Sequence, residues 1–265
     1  MLEKKIVFAL VILAVALSST FFVFQNRLFG TDVHAKLSGT MQIIVVPYFS
    51  PTSNLWKTVY AMADEHPGTI KYVIINPCSG PCGSVLTPDW DNVISVLKSK
   101  GVKTLGYIFS TSENFSNINY YMNGPEVPTD GIFFDSEGST NNLANFKPYA
   151  DYVHRLGGVV YINPGYNYTY VGDYLASGEA DIANIYEIDS NSSHQIVSNK
   201  AYPPWKVSVI VGDINNSQEM KYNLSEIADK KIGISYMYAD SYADLPTFFS
   251  NEVEQAASLK IRQEK

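Results

Sequence analysis

Asp135, Ser136 and Glu137 close one apolar run, GIFFDSE, and Glu187 closes another, ADIANIYE. Carboxylates standing directly after strand-like runs are where a parallel α/β fold collects reactive groups. Two carboxyl groups flanking one bond are the equipment of glycoside cleavage: one protonates the leaving oxygen, the other attacks or activates water. Asp135 and Glu187 form the candidate pair, with Glu137 as a further candidate. Amides and hydroxyls end the neighbouring runs: Tyr48, Asn76, Tyr107 with Ser110, Asn163, Tyr186 and Tyr238. That set suits a hydroxyl-rich ligand. Acidic residues after a strand also cap the next helix, and Asp213 and Asp240 read that way. His66, His154 and His194 fall in helical or loop stretches with no Ser or Cys nucleophile at a triad-like spacing, which disfavours a catalytic triad.

These residues need elements to position them. Strand-like runs alternate with amphipathic stretches from Met41 onward. Strands are expected over Met41–Phe49, Lys71–Pro77, Lys103–Ser110, Gly131–Asp135, Gly158–Asn163, Ala180–Glu187, Lys206–Val211 and Ile232–Tyr238. Helices are expected over Asn54–His66, Pro88–Lys100, Phe115–Met122, Asn141–Leu156, Tyr170–Ser177, Ser217–Asp229 and Pro246–Lys260. The stretch ending in Tyr202-Pro203-Pro204 has no clear helical pattern. Near-continuous Val/Ile runs suit a parallel sheet covered by helices, and eight strand–helix units imply a single-domain (β/α)8 TIM-type barrel. No Gly-rich dinucleotide fingerprint follows the first strand, and Gly80-Pro81-Cys82-Gly83 lacks the Lys and Ser/Thr of a phosphate loop. No cofactor is therefore expected.

Net charge is -7 with no basic run beyond the N-terminus, which argues against a nucleic-acid partner. Lys4 and Lys5 precede an uncharged apolar run from Ile6 to Phe24, close to the ~20 residues that span a bilayer. The expected organisation is an uncleaved signal-anchor over 1–27, a linker over 28–40 and the barrel over 41–265. A cleaved signal peptide is the alternative, with Val33-His34-Ala35 as its site. Either places the barrel outside the cytoplasm, with membrane contact through the N-terminal segment and a monomer expected. Asn114, Asn167, Asn191, Asn215 and Asn223 each begin an N-x-S/T sequon, in keeping with export. Cys78 and Cys82 are the only cysteines, and in an oxidising compartment they would close a small loop disulfide. Zinc is disfavoured, because the histidines are scattered and there is no second cysteine pair, and no metal is expected.

Several segments together are similar to the spherulin-4 (spherulation-specific) family of glycoside hydrolases. They are IIVVPYFSP with Trp56 downstream, VIINPCSGPCG with Pro88-Asp89, GVKTLGYIFST, TDGIFFD and YADLPTFF. The resemblance runs from about Met41 to the final helix. It implies a (β/α)8 barrel and hydrolysis of a galactosamine-containing polysaccharide. It also implies an Asp-Glu pair after the GIFFD-type strand and a later Glu; these fall on Asp135 and on Glu187. Ser136 stands where the family has the Glu of the pair, and Glu137 follows one place later. Side chains alternate across a strand, so Glu137 should face the other way unless the backbone bulges. Three readings follow: a hydrolase with a modified carboxylate set, a non-catalytic glycan-binding barrel, and a structural protein of the cell envelope.

Overall fold

The computed structural model describes residues 39–110, 114–189, 196, 198–199 and 201–261. The expected anchor and nearly all of the linker lie outside the described residues, and so does His194. Among the described residues no helix is long and apolar enough to cross a membrane.

Eight parallel strands close into a barrel in sequence order: β1 (Gln42–Val45), β2 (Ile70–Ile75), β3 (Lys103–Phe109), β4 (Gly131–Asp135), β5 (Val159–Asn163), β6 (Ile182–Asp189), β7 (Val207–Gly212) and β8 (Ile234–Met237). β1 pairs with β8 through Gln42↔Ile234 and Ile43↔Ser235, which leaves no sheet edge. The helices are α1 (Leu55–Glu65), α2 (Pro88–Ser99), α3 (Phe115–Met122), α4 (Leu143–Arg155), α5 (Val171–Ser177), α6 (Ser217–Asp229) and α7 (Phe249–Ser258). Between β6 and β7 the element among the described residues is a short 3-10 turn, Pro204–Lys206. Pro203 and Pro204 open that turn, where a missing N–H costs nothing, and β7 begins directly after Lys206.

The helices form because apolar residues recur at helical spacing on one face. In α2, Trp90, Val93, Ile94 and Leu97 are buried while Asp89 and Asp91 favour the N-terminal dipole. Asn216 caps α6 by accepting from the backbone N–H groups of Gln218 and Glu219. In the strands, both faces are buried, so alternation is masked and the runs are aliphatic.

The barrel interior is not purely aliphatic. An aromatic column rises along it: Tyr72 meets Tyr161 edge-on at 6.1 Å, Tyr161 meets Phe133 at 5.1 Å, and Phe133 stacks with Tyr107 at 6.1 Å. The register pairs Phe133 with Tyr161 and Asp135 with Asn163. Phe133 and Tyr107 therefore form a stiff floor, and Asp135 and Asn163 stand one layer above it at the strand ends.

Candidate functional site

Above that floor lies a pocket of about 200 Å3 lined by Tyr48, Asn76, Ser79, Tyr107, Asp135, Asn163, Glu187 and Tyr242, with apolar walls from Phe133 and Ile210. It sits at the C-terminal ends of the strands. The volume suits about one sugar ring, below the ~300–1,000 Å3 of sites for drug-sized ligands.

Asn163 organises the pocket. Its Nδ2 donates to Asp135 Oδ1 at 2.8 Å and to Glu187 Oε2 at 2.9 Å. A tyrosine braces each carboxylate from its other oxygen: Tyr107 donates to Asp135 Oδ2 at 2.5 Å, and Tyr242 donates to Glu187 Oε1 at 2.7 Å. The Ser136 backbone N–H adds a third donor to Asp135 at 3.0 Å. Burial, then the bonded Asp135, raises the pKa of the Tyr107 hydroxyl; burial, then Glu187, does the same to Tyr242. Both phenols thus stay protonated donors across any working pH.

The orientation of the Asn163 amide is fixed from below. Asn184 Nδ2 donates to Asn163 Oδ1 at 2.8 Å, Ser208 Oγ donates to Asn184 Oδ1 at 3.0 Å, and Tyr161 donates to Ser208 Oγ at 2.5 Å. With its oxygen occupied, Asn163 turns its NH2 to the two carboxylates. Asn184 and Ser208 are fully buried, so this polar chain is satisfied within the barrel rather than by bulk water.

Glu187 reaches the pocket through an irregularity. The β6–β7 register shifts between Asn184 and Tyr186. The bulge lets Asn184 and Glu187, three positions apart, both point inward. Tyr186 is thereby turned out of the pocket; it is buried against Tyr168, with ring centroids 4.5 Å apart and the two hydroxyls sharing a 2.7 Å hydrogen bond.

Glu137 is also turned away. Ser136 takes a left-handed backbone, φ 65°, so the chain swings behind β4. Glu137 is buried there and accepts a hydrogen bond from Tyr174 of α5. It does not line Asp135's pocket: as the alternation of side chains predicts, it faces away, and so it does not stand in for the family Glu. Ser110 lies past the end of β3 and does not line the pocket. Tyr238 leans over Gly212, whose position has no room for a Cβ, and packs its ring 4.3 Å from that of Tyr242. It supports Tyr242 instead of lining the pocket. Asp213 and Asp240 do not line it either.

The rim is shaped by the loop after β2. Cys78 and Cys82 form a disulfide. Asn76 Oδ1 accepts the Gly80 N–H at 2.9 Å, which leaves the amide NH2 of Asn76 as its donor end. Tyr120 of α3 donates to the Cys82 carbonyl at 2.9 Å, tying the ring down. Ser79 then shares a 2.5 Å hydrogen bond with the hydroxyl of Tyr48, a residue 48% exposed at the pocket edge. Tyr242, Ser79 and Asn184 escape a reading of strand ends, because two are on loops and the third lies a layer down. Tyr242 opens YADLPTFF and Ser79 lies in SGP, segments that carry the family resemblance, so the sequence does hold a signal for both. Among the described residues no group of three or more His, Cys, Asp or Glu could hold a metal ion.

The family model described as spherulation-specific family 4 matches residues 42–256. No curated protein sequence matches the chain. Among solved structures, Sph3 of Aspergillus clavatus in complex with GalNAc superposes with a TM-score of 0.68 at 20% identity, covering 84% of this chain and 99% of that one. A GH18 chitinase from Pseudoalteromonas aurantia gives 0.54 at 14% identity, covering 81% and 99%, and a chitinase from Chromobacterium violaceum gives 0.53 at 10%, covering 83% and 99%. At these identities the likeness concerns the barrel fold.

Proposed function

Because the chain belongs to spherulation-specific family 4, we propose that its pocket hydrolyses an amino-sugar polysaccharide of galactosamine type, with Asp135 and Glu187 as the working pair. The single observation that carries this is Asn163, one amide nitrogen bonded to both carboxylates. Those two bonds hold the nearer oxygens less than ~6 Å apart, close enough for both carboxyls to flank one glycosidic bond. One carboxyl protonates the glycosidic oxygen while the other attacks the anomeric carbon or takes the proton of the water that does. Tyr107, Tyr242 and Asn163 hold both oxygens in place, so little reorganisation is needed during the reaction. Tyr48 offers an exposed aromatic face to a sugar ring. That the similar Sph3 structure holds GalNAc favours this ligand class.

A second reading has a specific observation behind it: Ser136 replaces the family's Glu, and Glu137 is committed to Tyr174. With one carboxylate fewer, the pocket would bind a glycan without cleaving it. Purified protein incubated with galactosamine and N-acetylgalactosamine polymers decides between them. Hydrolysis, lost by at least ~10²-fold in Asp135→Asn and in Glu187→Gln, supports the enzyme. Binding without turnover supports the lectin-like reading. Turnover unchanged in both variants overturns the site.

The Lys4-Lys5 pair and the apolar run after it favour a membrane-anchored barrel on the outside of the cell, and the Cys78–Cys82 disulfide suits an oxidising compartment. Protease added to intact cells should remove the barrel while a cytoplasmic control survives; a protected barrel overturns this placement.

A further inference from the structure

At the opposite pole, where β5, β6 and β7 begin, a second cavity of about 300 Å3 opens to solvent, with Tyr72, His154, Asp181, Trp205 and Lys206 among its lining residues. Trp205 is 49% exposed, whereas Trp56 and Trp90 are 2% and 4% exposed. Exposure alone assigns nothing, but this ring sits at the edge of a cavity and on a fixed mount. The Gly233 N–H donates to the Pro204 carbonyl at 2.8 Å, and a Cβ at position 233 would lie 2.5 Å from that same oxygen. The absence of a side chain on Gly233 is what lets the Pro204–Trp205 segment press against the barrel. Tyr202 anchors the segment further, donating to the Gly172 carbonyl at 3.1 Å, and Asn199 Nδ2 donates to the carbonyls of Tyr202 and Lys231 at 2.7 and 3.0 Å. A ring held this way loses little freedom when a ligand arrives.

Asp181, beside it, is also fixed. Asp181 Oδ2 accepts the Val160 N–H at 2.9 Å and lies 3.0 Å from His154 Nε2. Its side chain remains 44% exposed, so the carboxylate still offers acceptor sites to the cavity. Lys206 supplies a cation and Tyr72 a hydroxyl, which burial and then Asp181 push up to about 12, keeping it a donor. A flat apolar face flanked by a carboxylate, an ammonium and a phenol matches a pyranose ring, which is apolar on its C–H face and polar around its edge. An apolar partner helix or a lipid surface would call for a contiguous apolar patch, and this cavity mixes charges with one ring.

We propose that this cavity is a second carbohydrate-binding site, taking one hexosamine residue stacked on Trp205, at the pole opposite the Asp135–Glu187 pocket. The cavity is argued from its own geometry; only the choice of an amino sugar rests on the function proposed above. The barrel would then hold one glycan strand while its other pole engages a second.

The test uses the full chain with tetra- to hexasaccharides of partly N-acetylated galactosamine. Calorimetry on the Glu187→Gln chain, in which turnover is blocked, should give two sites per chain. Trp205→Ala should weaken the second by at least ~10-fold and leave turnover at the other pole unchanged, while Trp205→Phe, which keeps an aromatic face, should retain binding. Tyr48→Ala should spare the second site, and because Trp205 is the exposed indole, its emission should still shift on titration. A single site lost only in Tyr48→Ala overturns this inference and leaves the first pocket's reading standing. A single site lost only in Trp205→Ala does the reverse. A Trp205 emission shift with anionic lipid vesicles and none with sugar overturns it in favour of a membrane contact.

Discussion

Asn163 decides what the two carboxylates are to each other. Its NH2 sits between Asp135 and Glu187 and separates two acceptors that would otherwise face one another. Asn163→Ala removes the shared donor at little cost in volume. Without that donor the two carboxylates, less than ~6 Å apart, repel and lose their common anchor. The variant should show ligand binding or turnover reduced by ~10²-fold. Binding and turnover within a few-fold of wild type would mean that the amide is only a spacer. Asn184→Leu asks a different question, since it leaves the Asn163 oxygen only the longer 3.3 Å bond from the Gly165 N–H and so loosens the amide's orientation. It should reproduce part of the same loss without touching the ligand.

Elements are legible to the extent that burial writes a pattern. Every strand of the barrel is readable as an aliphatic run, and α3 and α6 begin and end where their periodicity and caps place them. Site residues at regular strand ends, Asp135 and Asn163, follow directly. Departures from alternation are what the pattern hides. The β6 run gives no local sign of its bulge, so Tyr186 and Glu187 both look like rim residues, although adjacent positions on one strand face opposite ways. The left-handed Ser136 is equally silent, because serine carries no preference for that conformation. Two elements make measurable claims. Replacing Gly212 with Ala would place a Cβ 2.4 Å from the Tyr238 ring. It should cost ~1–3 kcal/mol and, by displacing Tyr238 from Tyr242, weaken ligand binding through Glu187. Opening the Cys78–Cys82 ring with paired Ser substitutions should cost no more than about 2 kcal/mol in a urea melt, because the closed loop is so short. Ligand affinity should fall further than that loss explains, since Ser79 would no longer hold Tyr48; an unchanged affinity would place the ring outside the site.

On the scale of the whole molecule, the last helix covers the strand where the barrel begins. The Met41 N–H donates to the Leu259 carbonyl, Thr40 bridges to Lys260, and α7 packs over β1 and α6. Glu252 lies within that contact, fully buried. One oxygen accepts the Met237 N–H at 3.1 Å and the other has no hydrogen-bond partner among the described residues. Burial pushes its pKa from 4.5 up to about 8, against a smaller opposing effect of the Met237 N–H. The folded state therefore holds a proton that the unfolded chain releases above about 4.5. Below that pH the contribution is fully present; it declines as pH rises towards about 8 and is gone above it. Within that window a rise of one in pH removes at most ~1.4 kcal/mol. Denaturant midpoints should accordingly fall between pH 5 and pH 8, a window in which most buried carboxylate pairs change little. Glu252→Gln keeps an acceptor for Met237 without a charge to bury, so it should flatten that slope and be the more stable protein at pH 8. If wild type and variant lose stability in parallel over this range, the proton does not reside on Glu252.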